Sequence, residues 1–124
     1  FLGEDSIVGL SANTKEIILS ADVSQIDYFG AGPLHETKTK LDAGKTSDGK
    51  FITHDFAEIA ELVKVSPRPV VVGGGVKLKD IPALVATKVQ GFFVVSAVAG
   101  ADNPKLAARE LVRAWFIPQE KKFC

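Results

Sequence analysis

The chain has 124 residues, 46% of them hydrophobic and 24% charged, which allows one small domain with a real core. Fifteen basic and fifteen acidic side chains cancel, so no global field draws it to nucleic acid or an anionic membrane, and any anion site must be local. No apolar run is long enough to span a bilayer, and the single cysteine, Cys124, cannot form an internal disulfide, which suits a reducing cytoplasm.

Methionine is absent even from position 1, from which the chain is expected to begin inside a longer one. Short apolar runs then alternate with amphipathic stretches about four times, the pattern of β/α units around a parallel sheet. The first predicted strand is "SIVGLS", residues 6–11, followed by Asn13 with Glu16 three residues on, a capping-box spacing that opens a short helix through Ile17 and Ile18. The second is "DYFGAG", residues 27–32, which runs into the loop "GPLHETKTKLDAG".

Turn chemistry around Asp48-Gly49 follows, and Asp55 with Glu58 starts a helix with Phe56, Ile59, Leu62 and Val63 on one face. The third strand, in "RPVVVGGG", is a valine run expected to be buried on both faces, and it ends in three glycines. Asp80 is placed to cap a helix carrying Ile81, Leu84 and Val85, and "GFFVVSA" supplies a fourth strand over residues 92–96. Asn103-Pro104 fits the N-cap and first position of a last helix with Leu106, Leu111 and Trp115 on its apolar side. These units give one domain over residues 1–115, and residues 116–124, with Pro118 and a Glu-Lys-Lys run, read as a fraying tail.

The chemically unusual residues all fall at the C-terminal ends of the predicted strands: Ser11, the loop 32–44, Gly73 to Gly75, and Val95-Ser96. In parallel α/β folds that edge binds ligands. Thr37 and Thr39 alternate with Lys38 and Lys40, so two hydroxyls, backbone N–H groups and ammonium charge are available to one anionic oxygen cluster. Glycines let N–H groups approach a phosphate closely, and the glycine run immediately precedes the Val95-Ser96 unit, as in barrels whose last two loops share a phosphate. "GLSAN" lacks the second glycine of a nucleophile elbow, which argues against acyl-enzyme chemistry at Ser11. His35 and His54 have no cysteine or carboxylate at metal-ligand spacing, which argues against zinc.

Taken in order, "SIVGLSANT", "DYFGAGPLHETKTKLDAG", "PVVVGGGVK" and "GFFVVSAVAGADNPKLAAREL" resemble the thiamine-phosphate synthase, or thiamine-phosphate pyrophosphorylase, family over nearly the whole chain. The resemblance implies the C-terminal half, about strands 5–8, of an eight-stranded TIM-type β/α barrel. It implies a transferase of thiamine biosynthesis that joins a pyrimidine diphosphate, 4-amino-2-methyl-5-hydroxymethylpyrimidine diphosphate, to a thiazole phosphate with Mg²⁺ and releases pyrophosphate. Ser11 and Lys40 would then contact the pyrimidine diphosphate, with Lys40 as the catalytic residue. Thr37, Lys38 and Thr39, with Gly75, Val95 and Ser96, would hold the thiazole phosphate.

The family's Gln-x-Arg-x-Lys motif, Asn-Asp pair and further Asp, which grip the diphosphate and its metal, have no counterpart here. The Mg²⁺ ligands are therefore expected in an N-terminal half-barrel, and this segment alone is expected to be inactive. An isolated half would expose two sheet edges and its barrel lining, so the expected partner is that N-terminal half or, second, another copy of the chain. Two other readings remain: a thiazole tautomerase of the same superfamily, which needs no diphosphate clamp, and a non-catalytic phosphate-binding half-barrel.

Overall fold

The computed structural model describes residues 3–35 and 53–120. Four parallel strands, β1 (Gly9–Ser11), β2 (Tyr28–Ala31), β3 (Val70–Val72) and β4 (Gly91–Phe92), lie side by side in chain order. Each parallel step requires the chain to return to the same edge through a crossover. Helices α1 (Lys15–Ser20), α2 (Phe56–Val65) and α3 (Ile81–Ala86) lie in those crossovers, and α4 (Ser96–Ala99) and α5 (Pro104–Glu120) follow β4. Sequential parallel order with alternating helices is the arrangement of half a TIM-type barrel.

The register sorts the sheet into two faces. Phe29 pairs with Val70, and Ala31 with Val72, which pairs in turn with Phe92. These residues turn toward the helices, where Phe29, Val70, Val72, Ile18, Ile59, Ile81 and Leu84 are almost wholly buried. The other face carries Ser11 beside Gly30, Gly30 beside Val71, and Val71 beside Gly91. No described helix covers it, and Val71 is only half-buried, so among the described residues the valine run is closed on one side rather than two. Rather than a wholly apolar lining, this face bears glycines, with two aromatic rings laid over them. A Cβ on Gly9 would collide with the Tyr28 ring, and one on Gly73 with the Phe93 ring.

Local chemistry sets the helix starts. Asp55 accepts the Glu58 N–H at 2.8 Å, and Asn103 accepts the Leu106 N–H at 3.1 Å, both as their positions predict. The first helix is capped one residue later than expected, by Thr14, whose hydroxyl accepts the Ile17 N–H at 3.2 Å. Asp80 stands at the N-cap position of α3 as expected but makes no side-chain capping bond there; it also ends a 3-10 turn (Leu78–Asp80), and its carboxylate accepts the Lys77 N–H at 2.9 Å. Helix α5 continues to Glu120, past the break expected at Phe116. It is tied to the sheet by Leu111, which is buried, and by Trp115, whose ring lies 5.3 Å from that of Phe92.

Candidate functional site

The C-terminal strand ends share one edge, and there the chain continues to bond beyond the strands proper. Ala12 N–H donates to Gly30 O (2.9 Å), Gly73 N–H to Ala31 O (3.1 Å) and Phe93 N–H to Val72 O (2.9 Å). The β2–α2 and β3–α3 connections touch backbone to backbone. Leu34 N–H donates to Gly73 O (3.2 Å) and Gly74 O (3.0 Å), and His35 N–H donates to Gly74 O (3.0 Å). Gly74 and Gly75 both hold left-handed backbone, φ 87° and 74°, which glycine adopts without a Cβ penalty. A Cβ on Gly74 would also fall 2.5–2.6 Å from Pro33.

Of the sequence-predicted residues, Gly75 and Ser96 are brought together. They line one cleft of about 340 Å³ between the β3–α3 turn, α4 and α5, with Val76, Lys77, Leu78, Ala97, Ala107, Glu110 and Leu111 completing its wall. Ser96 is not a strand residue as expected; β4 ends at Phe92 and Ser96 opens α4 after Val95. The first carbonyl used by that helix is Val95 O, which accepts from Val98 and Ala99, so the N–H groups of Ser96 and Ala97 precede its first helical bonds. Val95 itself is exposed and is not part of the cleft wall.

Ser11 stands at the far end of the same edge, exposed, on β1. At one strand spacing per step it lies roughly 10 Å along the sheet from β3 and about 14 Å from β4. Thr37, Lys38, Thr39 and Lys40 lie outside the described residues. Sequence reasoning missed Lys77 and Glu110, the basic and the acidic residue of the cleft wall. Lys77 had a local signal, two positions after Gly75; Glu110 had none, because α5 brings it there from a different unit.

His35 and His54 bracket the segment between β2 and α2. His35 Nε2 lies 3.1 and 3.0 Å from the two carboxylate oxygens of Asp80, which is buried. His54, also buried, donates Nε2–H to Asn13 O at 3.0 Å, and its N–H donates to Pro33 O at 2.9 Å. Nδ1 of His54 is buried and has no partner among the described residues. Among the described residues no group of His, Cys, Asp and Glu side chains is arranged to hold a metal ion. The described residues therefore offer no ligand set for Mg²⁺.

The sequence model of a family described as thiamine monophosphate synthase matches residues 1–98. The chain is 36% identical over 110 residues to a thiamine-phosphate synthase of Clostridium tetani, covering 89% of this chain and 49% of that protein. It is 38% identical over 113 residues to a thiamine-phosphate synthase of Corynebacterium efficiens, covering 90% and 49%. Among solved structures, a thiamine phosphate pyrophosphorylase from Pyrococcus furiosus superposes with a TM-score of 0.69 at 29% identity, covering 88% of this chain and 48% of that one. The chain thus spans about half the length of the relatives it matches.

Proposed function

Because this chain belongs to the thiamine monophosphate synthase family, we propose that it supplies half of the active site of a thiamine-phosphate synthase, the half that holds the thiazole phosphate. The observation that carries the reading is the shared cleft of Gly75 and Ser96 at the C-terminal sheet edge. N–H groups of a left-handed glycine and of a helix start suit a phosphate monoester, and Lys77 on the cleft wall adds positive charge.

In the proposed reaction the bond between the pyrimidine methylene carbon and the diphosphate oxygen breaks, the pyrophosphate carries away the electron pair, and the thiazole nitrogen forms the new carbon–nitrogen bond. No covalent enzyme intermediate is required. The enzyme's task is to hold both substrates aligned and to stabilise the leaving charge. We assign Ser11 and Lys40 to the diphosphate, Lys40 as catalytic residue, and Thr37, Lys38, Thr39, Gly75, Val95 and Ser96 to the thiazole phosphate. The separation of Ser11 from the cleft along the sheet suits two phosphate groups on two substrates.

The partner in this reading is an N-terminal half-barrel, which also supplies the Mg²⁺ ligands. Its support is the distribution of exposed apolar residues. Ile7, Ile17 and Leu19 flank β1, while Leu106, Val112 and Phe116 line α5 at the opposite end. Those are the two ends at which a closed barrel would continue. No described helix is long and apolar enough to cross a membrane, and we place the enzyme in the cytoplasm.

The test is complementation. This chain, mixed with the N-terminal half of a relative, Mg²⁺ and both substrates, is expected to form thiamine phosphate. No product, under conditions where the intact relative is active, overturns the proposal.

A further inference from the structure

Two consecutive left-handed glycines make a turn with much conformational freedom to lose, so a Gly74-Gly75 turn keeps one shape only if neighbours hold it. One short segment does so from both sides. Upstream, Leu34 and His35 donate three N–H bonds to the carbonyls of Gly73 and Gly74, and Pro33 packs against Gly74. Downstream, the His35 side chain reaches Asp80 at 3.0–3.1 Å, and Asp80 gathers the Lys77 N–H at 2.9 Å. The span from Gly74 to Asp80, Gly75 and Lys77 included, is closed into a loop fastened at both ends to His35.

We propose that His35, through Asp80, is a positioning residue for the Gly75 turn and thereby sets the affinity of the cleft for a phosphate monoester. The pair suits the task. Asp80 is 5% exposed, so its carboxylate has little water to compete for it, while His35 is part-exposed and spans 45 residues of sequence to reach it. A hydrogen bond to a buried charged group is among the stronger fastenings a side chain can make. The inference rests on the thiazole-phosphate reading of the cleft, and its test separates the two.

Without ligand, His35→Phe, which keeps a ring but cannot bond Asp80, is expected to speed hydrogen exchange at the Lys77 amide about tenfold, the loss expected for one charge-assisted hydrogen bond. His35→Gln, whose amide still donates, is expected to restore the slow rate. In the assembled enzyme, His35→Phe is expected to raise KM for thiazole phosphate about tenfold with kcat changed less than about twofold, and His35→Gln to return KM toward the original. If the single variant fails to fold because Asp80 is left buried and unpaired, His35→Phe combined with Asp80→Asn removes the charge, leaves an acceptor for Lys77, and is read in the same way. Unchanged Lys77 exchange, or KM unmoved in a phosphate-binding enzyme, overturns the positioning role. An enzyme with no phosphate affinity in any variant, while Lys77 exchange responds to His35, overturns the function of the cleft instead.

Discussion

The two middle units and the two outer ones are built from the same kinds of residue yet end in different states. In the middle, Phe29, Val70, Val72, Ile59, Ile81 and Leu84 are at most 1% exposed, because each faces a helix from its own unit and a neighbour on either side. At the ends, Ile7 is 78% and Leu19 69% exposed, and Phe116 is 53% exposed on α5. In the outer units burial is confined to the side chains that face the one neighbouring unit, such as Ile18 at 1% and Leu111 at 5% exposed. The outer apolar side chains find no cover among the described residues.

Truncation is the sharpest way to break that comparison. Phe29→Ala is expected to lower stability by about 3–5 kcal/mol, the range for a large core side chain, whereas Leu19→Ala is expected to stay within about 0.5 kcal/mol in the chain alone. Chemical denaturation measures both. If the two variants cost the same, the outer unit is not open as described. With the other half-barrel present, Leu19→Ala is expected to become measurably destabilising, and that change would mark the face as an interface.

Gly74→Ala tests the edge rather than the core. The left-handed backbone and the approach of Pro33 together predict a loss of about 2 kcal/mol, with phosphate affinity falling alongside stability. A substitution at Gly30, where a new Cβ meets nothing within 4 Å, is expected to cost clearly less. Equal costs would show that glycine at these positions answers to chain entropy and not to close approach.

The smallest effect lies on the exposed 3-10 turn (Val23–Gln25) ahead of β2. Asp22 is held below its ordinary pKa, first by the Ser24 hydroxyl at 2.6 Å and then by the Ser24 N–H at 3.1 Å. A depressed carboxylate adds stability above its unfolded pKa and loses it as pH falls through the folded value. Ser24→Ala is expected to move the Asp22 titration upward, read by NMR, with little change in global stability. An unchanged titration would assign the shift to the backbone bond alone.

Strand lengths show where local reading stops. The apolar runs at residues 6–11 and 92–96 read as full strands, but only Gly9–Ser11 and Gly91–Phe92 are paired. Each lies at a sheet edge and has a neighbour strand on one side only, and past the paired residues single bonds such as Phe93 N–H to Val72 O replace the ladder. At the C-terminal edge, Ser96 therefore enters a helix instead of ending a strand. The caps at Asp55 and Asn103 were legible because the donor lies three residues from the acceptor.

The sequence by itself determined the parallel β/α class, the glycine turn and the edge where polar residues gather, since these follow from periodicity and from backbone preferences acting over a few residues. The tertiary structure alone decided that Lys77 and Glu110 join Gly75 and Ser96 in one cleft, and that His35 meets Asp80. Such pairings join residues from different units, and their distances are set by which strands lie side by side, a choice made by the whole core and not by any one segment.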